Sequence, residues 1–224
     1  MWTFFLGGRA HSNILRSACN VLQSVAPALE ALAGRFDKVT FTGHSLGGGV
    51  AAYAALLFAE LLPRDTAGPA VDCYTFGAPG VCSLDVARGL RSRVVAFCHA
   101  DDVVPRLSFG HVLELHGRAV AAADAAKEAL KADAAPVLER LRGLAGWPPE
   151  AARQRTPAPV APERKLFPTG RVFLVGSAGG VAEVDAEELA PFISLGAGRR
   201  LLLDHLPPGY EASLAAALAK ASRT

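Results

Sequence analysis

The sequence has no excess of charge of either sign. Lysine and arginine number 23 and aspartate and glutamate number 21, which leaves a formal net charge of +2 over 224 residues. A protein that binds nucleic acid through the phosphate backbone is expected to carry a much stronger positive field, so we predict no nucleic-acid partner. With 51% hydrophobic and 20% charged residues, the composition is typical of a globular chain with a core. Wholly disordered, collagen-like and coiled-coil proteins are excluded.

Long hydrophobic runs are also missing. A membrane-spanning helix needs roughly 18 uninterrupted apolar residues, and the longest candidate, Val50–Leu62, is shorter and ends at Pro63. The apolar start, Met1–Leu6, has neither the basic leader nor the length of a signal peptide. These absences predict an intracellular protein that is cytoplasmic or peripherally associated with a membrane.

Cysteine is scarce and has no metal-ligand spacing. The four cysteines are Cys19, Cys73, Cys82 and Cys98. Because Cys73 and Cys98 lie inside apolar, strand-like runs, we expect buried free thiols rather than a metal site.

Short apolar runs alternate with helical patterns along the chain. Apolar residues recur every three or four positions from Ile14 to Leu32, which predicts one face of a helix that ends at Gly34. The other predicted helices are Gly47–Leu62, Leu84–Leu90, Arg118–Leu144 and Glu211–Ala219, and the predicted strands are Val39–Thr42, Val71–Phe76, Val94–Phe97 and Arg171–Val175. This alternation predicts an α/β fold with a mainly parallel sheet and helices on its faces.

One segment departs from the alternation. From Ala145 to Pro168 the composition shifts to proline, arginine and alanine, which is typical of a mobile linker or a surface loop. Together with the helical pattern before it, this segment forms a helical and proline-rich insert at about residues 120–165. Because a strand pattern resumes at Arg171, we predict a single domain, residues 1–224, interrupted by the insert.

The sharpest local signal is Gly43-His44-Ser45-Leu46-Gly47, which fits the pattern G-x-S-x-G at a predicted strand-to-helix turn. In a nucleophile elbow, small neighbours let the strand and helix approach while a strained serine projects its hydroxyl above the sheet. A plain glycine turn is the alternative. The strand before the motif and the small-residue helix after it favour Ser45 as a nucleophile.

A serine nucleophile needs a histidine base and a carboxylate, and after such an elbow they follow in the order aspartate, then histidine. Asp101 and Asp102 follow the run Val94–Phe97, and position alone leaves the two close to even. His205, near the C-terminal end, is favoured by position over the competing histidines, which include His44, His99, His111 and His116.

Five separated blocks resemble the class 3, or fungal-type, lipases, and within that family the sn-1-specific diacylglycerol lipases. The blocks are Thr40–Ala51, Tyr74–Gly80, Asp102–Leu107, Lys165–Val172 and Asp204–Glu211. The resemblance runs from about Ala10 to Leu218, except for about Val120–Glu163. It implies the α/β-hydrolase fold, with helices on both faces of the sheet.

The resemblance also implies a site and a substrate. The family places its catalytic aspartate directly before a hydrophobic-Val-Pro tripeptide, which selects Asp102 over Asp101. Ser45, Asp102 and His205 are then the expected catalytic triad, and the backbone N–H of Leu46 is the expected oxyanion donor. The implied substrate is diacylglycerol or a related glycerolipid at a membrane or lipid-droplet surface. Hydrolysis through an acyl-enzyme requires no metal and no organic cofactor.

One family element has no match before Ser45: an earlier strand with an Arg-Gly-Thr-like loop that supplies the second oxyanion donor. Ala10–Ile14 resembles the helix start that follows that loop, so we expect a truncated chain that lacks N-terminal strands. Its full-length form could be an integral membrane protein. Gly7 and Gly8 could donate instead, although a flexible loop is the favoured interpretation there.

Two other functions stay open at this point. The same triad serves a phospholipase A1 or a general carboxylesterase. A catalytically impaired lipase-like module that binds lipid or a partner protein is the alternative from another class, because family resemblance by itself does not decide activity.

Overall fold

A computed structural model describes residues 2–32, 35–62, 69–108, 110–113, 116–117, 119–128, 165–189 and 200–223. Its strands are β1 (Trp2–Phe5), β2 (Gly8–His11), β3 (Lys38–His44), β4 (Ala70–Phe76), β5 (Val94–His99), β6 (Arg171–Val175) and β7 (Val181–Val184). Its helices are α1 (Ser12–Ala31), α2 (Leu46–Leu61), α3 (Leu84–Gly89), α4 (described at residues 110–113, 116–117 and 119–128), α5 (Arg200–Leu203) and α6 (Pro207–Ala221).

The main sheet has the strand order β3-β4-β5-β6-β7. The first four strands run parallel, and β7 pairs with β6 in the antiparallel sense. Parallel strands joined by helices need long crossovers, and the predicted alternation of strands and helices supplies them. The prediction of a mainly parallel sheet is confirmed.

Helices cover both faces of this sheet. Phe41 on β3 contacts Phe58 of α2, with ring centroids 5.7 Å apart, and Cys73 lies beside Phe41 in register on the same face. Phe76 and Phe97 lie beside each other in register on the opposite face. There Phe76 contacts Tyr210 of α6, with ring centroids 6.3 Å apart. The helices therefore bury two apolar faces, as expected for strands hydrophobic on both sides.

Small side chains let α2 pack deep inside the molecule. Its buried residues include alanines at positions 51, 52, 54 and 55, so α1 and the sheet can both approach its backbone. Helix α1 buries Ile14, Ala18 and Leu22, four residues apart, which is the single apolar face that the periodicity predicts. Tyr53 of α2 is fully buried, and its hydroxyl donates to the carbonyl of Val81.

The first strands form a hairpin that the sequence did not predict. β1 and β2 form an antiparallel two-stranded sheet, and Ala10 of β2 also makes an antiparallel bridge with Cys82. Gly7 turns the chain with φ +79°. A Cβ on Gly8 would lie 2.4 Å from a methyl group of Val86. We expected a flexible loop at Gly7 and Gly8. Instead, Gly7 lies in the hairpin turn and Gly8 begins β2, which packs against α3.

Other predictions differ in detail or fall outside the described residues. β7 and α5 were not predicted, because four residues are too few for a clear period. Residues 119–128 are helical, as the pattern from Arg118 predicts. Residues 129–164, which hold most of the predicted insert, lie outside the described residues, as do Gly34 and Pro63. None of the helices in the described ranges combines the length and hydropathy of a membrane-spanning segment.

Candidate active site

Ser45 occupies a strained turn between β3 and α2. Its φ of +56° and ψ of −131° are rare for a residue with a side chain. A Cβ on Gly43 would lie 2.3 Å from the carbonyl oxygen of Gly47, and a Cβ on Gly48 would lie 2.9 Å from Cβ of Ala78. Gly47 itself faces open space. Close packing therefore requires Gly43 and Gly48, whereas the last glycine of the pattern is not required by packing.

His205 lies in the short connection between α5 and α6, with its ring beside Ser45. Its Nε2 is 2.8 Å from Oγ of Ser45. Its Nδ1 is 3.1 Å from Oδ1 and 3.0 Å from Oδ2 of Asp102. The three predicted triad residues therefore form one continuous chain of hydrogen bonds, although Ser45 lies 160 positions and Asp102 lies 103 positions before His205 in the sequence.

Asp102 is completely buried, and its carboxylate is bound on several sides. The Tyr210 hydroxyl donates to Oδ2 at 2.6 Å, and the Val104 N–H donates to Oδ1 at 2.8 Å. Burial foremost, and then the nearby Asp102 carboxylate, raise the pKa of Tyr210, so its hydroxyl stays protonated as a donor. Together with His205, these donors replace the water that a buried carboxylate loses.

Asp101 has a different environment from Asp102. Its side chain is exposed, and its backbone N–H donates to Oδ2 of Asp204 at 3.1 Å. The Arg106 guanidinium donates to the carbonyls on either side of Asp101, that of Ala100 at 2.9 Å and that of Asp102 at 3.1 Å, and so fixes the backbone of this loop. In the structure Asp102 therefore faces His205 and Asp101 faces the surface. Position in the sequence alone did not distinguish between the two aspartates.

Gly77 lets the backbone after β4 approach the Asp102 carboxylate. Its φ is +58°, and an added Cβ would lie 2.7 Å from Oδ2 of Asp102 and 3.0 Å from the Tyr210 hydroxyl. Gly77 and Tyr210 both belong to blocks that carry the family resemblance, yet the sequence did not single them out. Only the folded chain brings them to Asp102.

The competing histidines make other contacts. His44 Nε2 is 2.7 Å from the carbonyl oxygen of His205, and His99 Nδ1 is 3.1 Å from that of Asp204. The His111 ring packs against Phe167 with centroids 5.5 Å apart, and His116 is exposed. Among the described residues, no group of three or more His, Cys, Asp or Glu side chains is arranged to hold a metal ion.

Exposed leucines flank Ser45 and His205 in the sequence. Leu46 is the first residue of α2, where backbone N–H groups have no partner within the helix, so its predicted role as oxyanion donor stays a prediction. Four leucines next to Ser45 or within three positions of His205 in the sequence are between 49% and 66% exposed: Leu46, Leu202, Leu203 and Leu206. Exposed apolar side chains next to a polar site are typical of a surface that meets an apolar ligand.

Comparison with known proteins extends these observations. Residues 2–111 match a family described as Lipase (class 3), a range that includes Ser45 and Asp102 but not His205. The chain has no significant match among curated proteins.

Solved structures give the fold match. A Rhizomucor miehei triacylglyceride lipase is 19% identical with a TM-score of 0.50, covering 92% of this chain and 62% of that one. A triacylglycerol lipase whose catalytic centre is described as a serine protease triad is 18% identical with a TM-score of 0.52, at the same coverages of 92% and 62%. A lipase from Rhizopus microsporus var. chinensis is 27% identical with a TM-score of 0.40, covering 48% of this chain and 40% of that one.

The chain spans less than two thirds of the length of each of these structures. The fold match nevertheless extends over most of this chain, well past the end of the family match at residue 111. The predicted α/β-hydrolase fold is confirmed. The similarity to the class 3 lipases covers residues 2–111, just under half of the chain.

Proposed function

We propose that this chain is a serine ester hydrolase that cleaves an acyl ester of diacylglycerol or a related glycerolipid. The observation that supports it most is the chain of hydrogen bonds from Oγ of Ser45 through His205 to the buried Asp102. A serine hydroxyl is a weak nucleophile at neutral pH, and an adjacent base oriented by a carboxylate is the arrangement that activates it.

The reaction follows from these positions. The Ser45 hydroxyl gives its proton to Nε2 of His205 as Oγ attacks the ester carbonyl, and Asp102 stabilises the resulting imidazolium through Nδ1–H. The Leu46 N–H stabilises the oxyanion of the tetrahedral intermediate. His205 then protonates the leaving glycerol oxygen, which leaves an acyl group on Ser45. Water, deprotonated by His205, releases the fatty acid and restores the Ser45 hydroxyl.

A glycerolipid substrate is supported by two features. Beside the class 3 blocks at the elbow and at Asp102, the blocks Lys165–Val172 and Asp204–Glu211 resemble diacylglycerol lipases in particular. The exposed leucines beside Ser45 and His205 suit acyl chains and a lipid surface better than a polar substrate. With diacylglycerol the products are a fatty acid and a monoacylglycerol. Peripheral contact with a membrane or a lipid droplet is the proposed setting of the reaction.

The assignment of Ser45 is tested with a fluorophosphonate probe, which labels activated serines. We expect the folded parent chain to be labelled and the Ser45→Ala variant to remain unlabelled, with folding of both checked by circular dichroism. Equal labelling of parent and variant would mean that another residue reacts. A folded parent without any labelling would favour a lipid- or partner-binding module.

The substrate is tested by comparing turnover of three esters under the same conditions. We expect diacylglycerol in vesicles to be cleaved faster than a phospholipid or a soluble short-chain ester. Faster cleavage of the phospholipid would identify a phospholipase A1, and a preference for the soluble ester would identify a general carboxylesterase. Ser45→Ala should abolish all three reactions, so that contaminating activity is excluded.

A further inference from the structure

The dipeptide Asp204–His205 lies between two helices and lacks helical partners for its carbonyls. Helix α5 ends at Leu203 and α6 begins at Pro207. The proposed base, His205, therefore lies in a turn of three residues, which one backbone hydrogen bond closes, from the N–H of Leu206 to the carbonyl of Leu203 at 3.1 Å. Because a shift of about 1 Å in a catalytic group can cost 10²-fold in rate, such a turn needs other support.

His44 binds the second carbonyl of this dipeptide. Its Nε2 is 2.7 Å from the carbonyl oxygen of His205, so this nitrogen carries the proton and donates it, because a carbonyl oxygen only accepts. The His44 ring also lies against the His205 ring, with centroids 4.6 Å apart and planes at 33°. One side chain therefore contacts both the backbone and the ring of His205.

His99 binds the first carbonyl from a buried position. Its Nδ1 is 3.1 Å from the carbonyl oxygen of Asp204, which assigns the donated proton to Nδ1. In the neutral ring, Nε2 then accepts from the Ser213 hydroxyl at 2.9 Å. His99 and Ser213 are only 4% and 3% exposed, so both ring nitrogens are satisfied inside the protein.

These two histidines come from the strands that carry the other members of the proposed triad. His44 ends β3 and directly precedes Ser45, and His99 ends β5 three residues before Asp102. Each strand thus supplies a triad residue and also binds the turn that carries His205. The contacts fix the turn relative to Ser45 and to Asp102 separately.

We propose that His44 and His99 are positioning residues for the reaction, a pair that holds His205 in place through the successive carbonyls of Asp204 and His205. This inference rests on the proposed function of the Ser45 site. Neither histidine contacts the Ser45 hydroxyl in this arrangement; both act through the backbone that carries the base.

Paired substitutions separate the donor from the bulk of each ring. His44→Phe keeps an aromatic ring and removes the donor, whereas His44→Gln places an amide N–H near the position of Nε2. His99→Leu removes the donor, and His99→Asn places one near Nδ1. We expect His44→Phe and His99→Leu to lower kcat about tenfold with little change in KM, and the amide variants to stay within about threefold of the parent.

A second readout reports on His205 without requiring turnover. The proton that Nδ1 of His205 donates to Asp102 is expected as a low-field imidazole signal in proton NMR, assigned by its loss in His205→Gln. We expect this signal to shift or broaden in His44→Phe and His99→Leu and to return in His44→Gln and His99→Asn. His111→Gln is the matched control, since His111 is also buried but packs on Phe167 instead.

The outcomes separate this proposal from the proposed function. Unchanged kcat and an unchanged His205 signal in folded donor-less variants would overturn the proposal, even if their thermal stability falls. A parent without the low-field signal would overturn it as well. A parent that hydrolyses no ester, but whose His205 signal changes with His44 and His99, would reject the function and keep the positioning role. If His99→Leu does not fold, His44→Phe provides the same test, because His44 is only half-buried at the end of β3.

Discussion

The two halves of the site are held by different means. Ser45 is positioned by one continuous strand-turn-helix unit, in which Gly43 and Gly48 allow close approach of the backbone. His205 and its turn make hydrogen bonds with side chains that lie far away in the sequence: His44 and His99 donate to the carbonyls of His205 and Asp204, and Asp102 accepts from the His205 ring. The first half stores local backbone strain, and the second depends on the correct assembly of β3, β5 and the turn that carries His205. The two halves should therefore respond differently to substitution.

The largest effect is expected in the local half. Gly43→Ala would place a Cβ 2.3 Å from the carbonyl oxygen of Gly47, a backbone atom that cannot rotate away. We expect the free energy of unfolding to fall by about 3 kcal/mol and labelling of Ser45 to be lost. Thermal and denaturant unfolding measure the first effect, and the fluorophosphonate probe measures the second.

Gly47→Ala is the matched control within the same turn, because nothing lies within 4 Å of its added Cβ. Its free energy of unfolding should stay within about 1 kcal/mol of the parent value. Equal stability of the two variants would show that close approach at Gly43 does not hold the elbow.

The same contrast explains what the sequence could predict. The elbow is contiguous, so five residues between a strand pattern and a helix pattern indicate both the turn and Ser45. The strands β4, β5 and β6 were predicted for a similar reason, since each is a short apolar run between turn residues. The fold could thus be predicted largely from contiguous sequence patterns, each of which indicates one strand, turn or helix.

Contacts across the sequence were not predictable in this way. Position left Asp101 and Asp102 even, the family resemblance selected Asp102, and the folded chain shows that its carboxylate is buried beside His205. The roles of Gly77 and Tyr210 depend on a three-dimensional approach to the same carboxylate. The β1–β2 hairpin was missed because each of its strands has only four residues, too few for a clear period.

A smaller effect is expected in the assembled half, where Tyr210→Phe removes one donor from the Asp102 carboxylate. A hydrogen bond to a charged, buried group contributes about 2 kcal/mol, so stability should fall by roughly that amount. We also expect kcat to fall about tenfold with little change in KM, because the carboxylate that orients His205 loses a fixed partner. Unfolding curves and steady-state kinetics on one preparation give both values.

Tyr53→Phe provides the matched comparison for Tyr210→Phe. Tyr53 is equally buried, and burial raises its pKa as it raises that of Tyr210. Its hydroxyl, however, donates to the carbonyl of Val81, which also accepts from the N–H of His11. We expect a loss of about 1 kcal/mol in stability and no change in kcat per folded molecule. An equal fall in kcat for both variants would make Tyr210 a packing residue only.

The smallest effect is expected far from either half, at exposed ion pairs on the β6–β7 edge. Glu183 accepts from Arg171 at 2.7 Å and from Arg91 at 2.5 Å. The hydrogen bond from Arg171 foremost, and then the charges of Arg171 and Arg91, lower the pKa of Glu183. Because the folded-state pKa lies below the unfolded one, the stabilisation is present at neutral pH and is lost as the pH falls through the lowered value.

Glu183→Gln should therefore reduce the melting temperature slightly at neutral pH and leave it unchanged once the carboxyl is protonated in both states. The difference between the variant and the parent should also shrink at high salt, because exposed charges are screened. Neither change should alter ester hydrolysis, since these pairs touch neither the elbow nor the turn that carries His205. A fall in kcat for Glu183→Gln would mean that the β6–β7 edge helps to hold Asp102 and His205, and the assembled half of the site would then extend across the whole sheet.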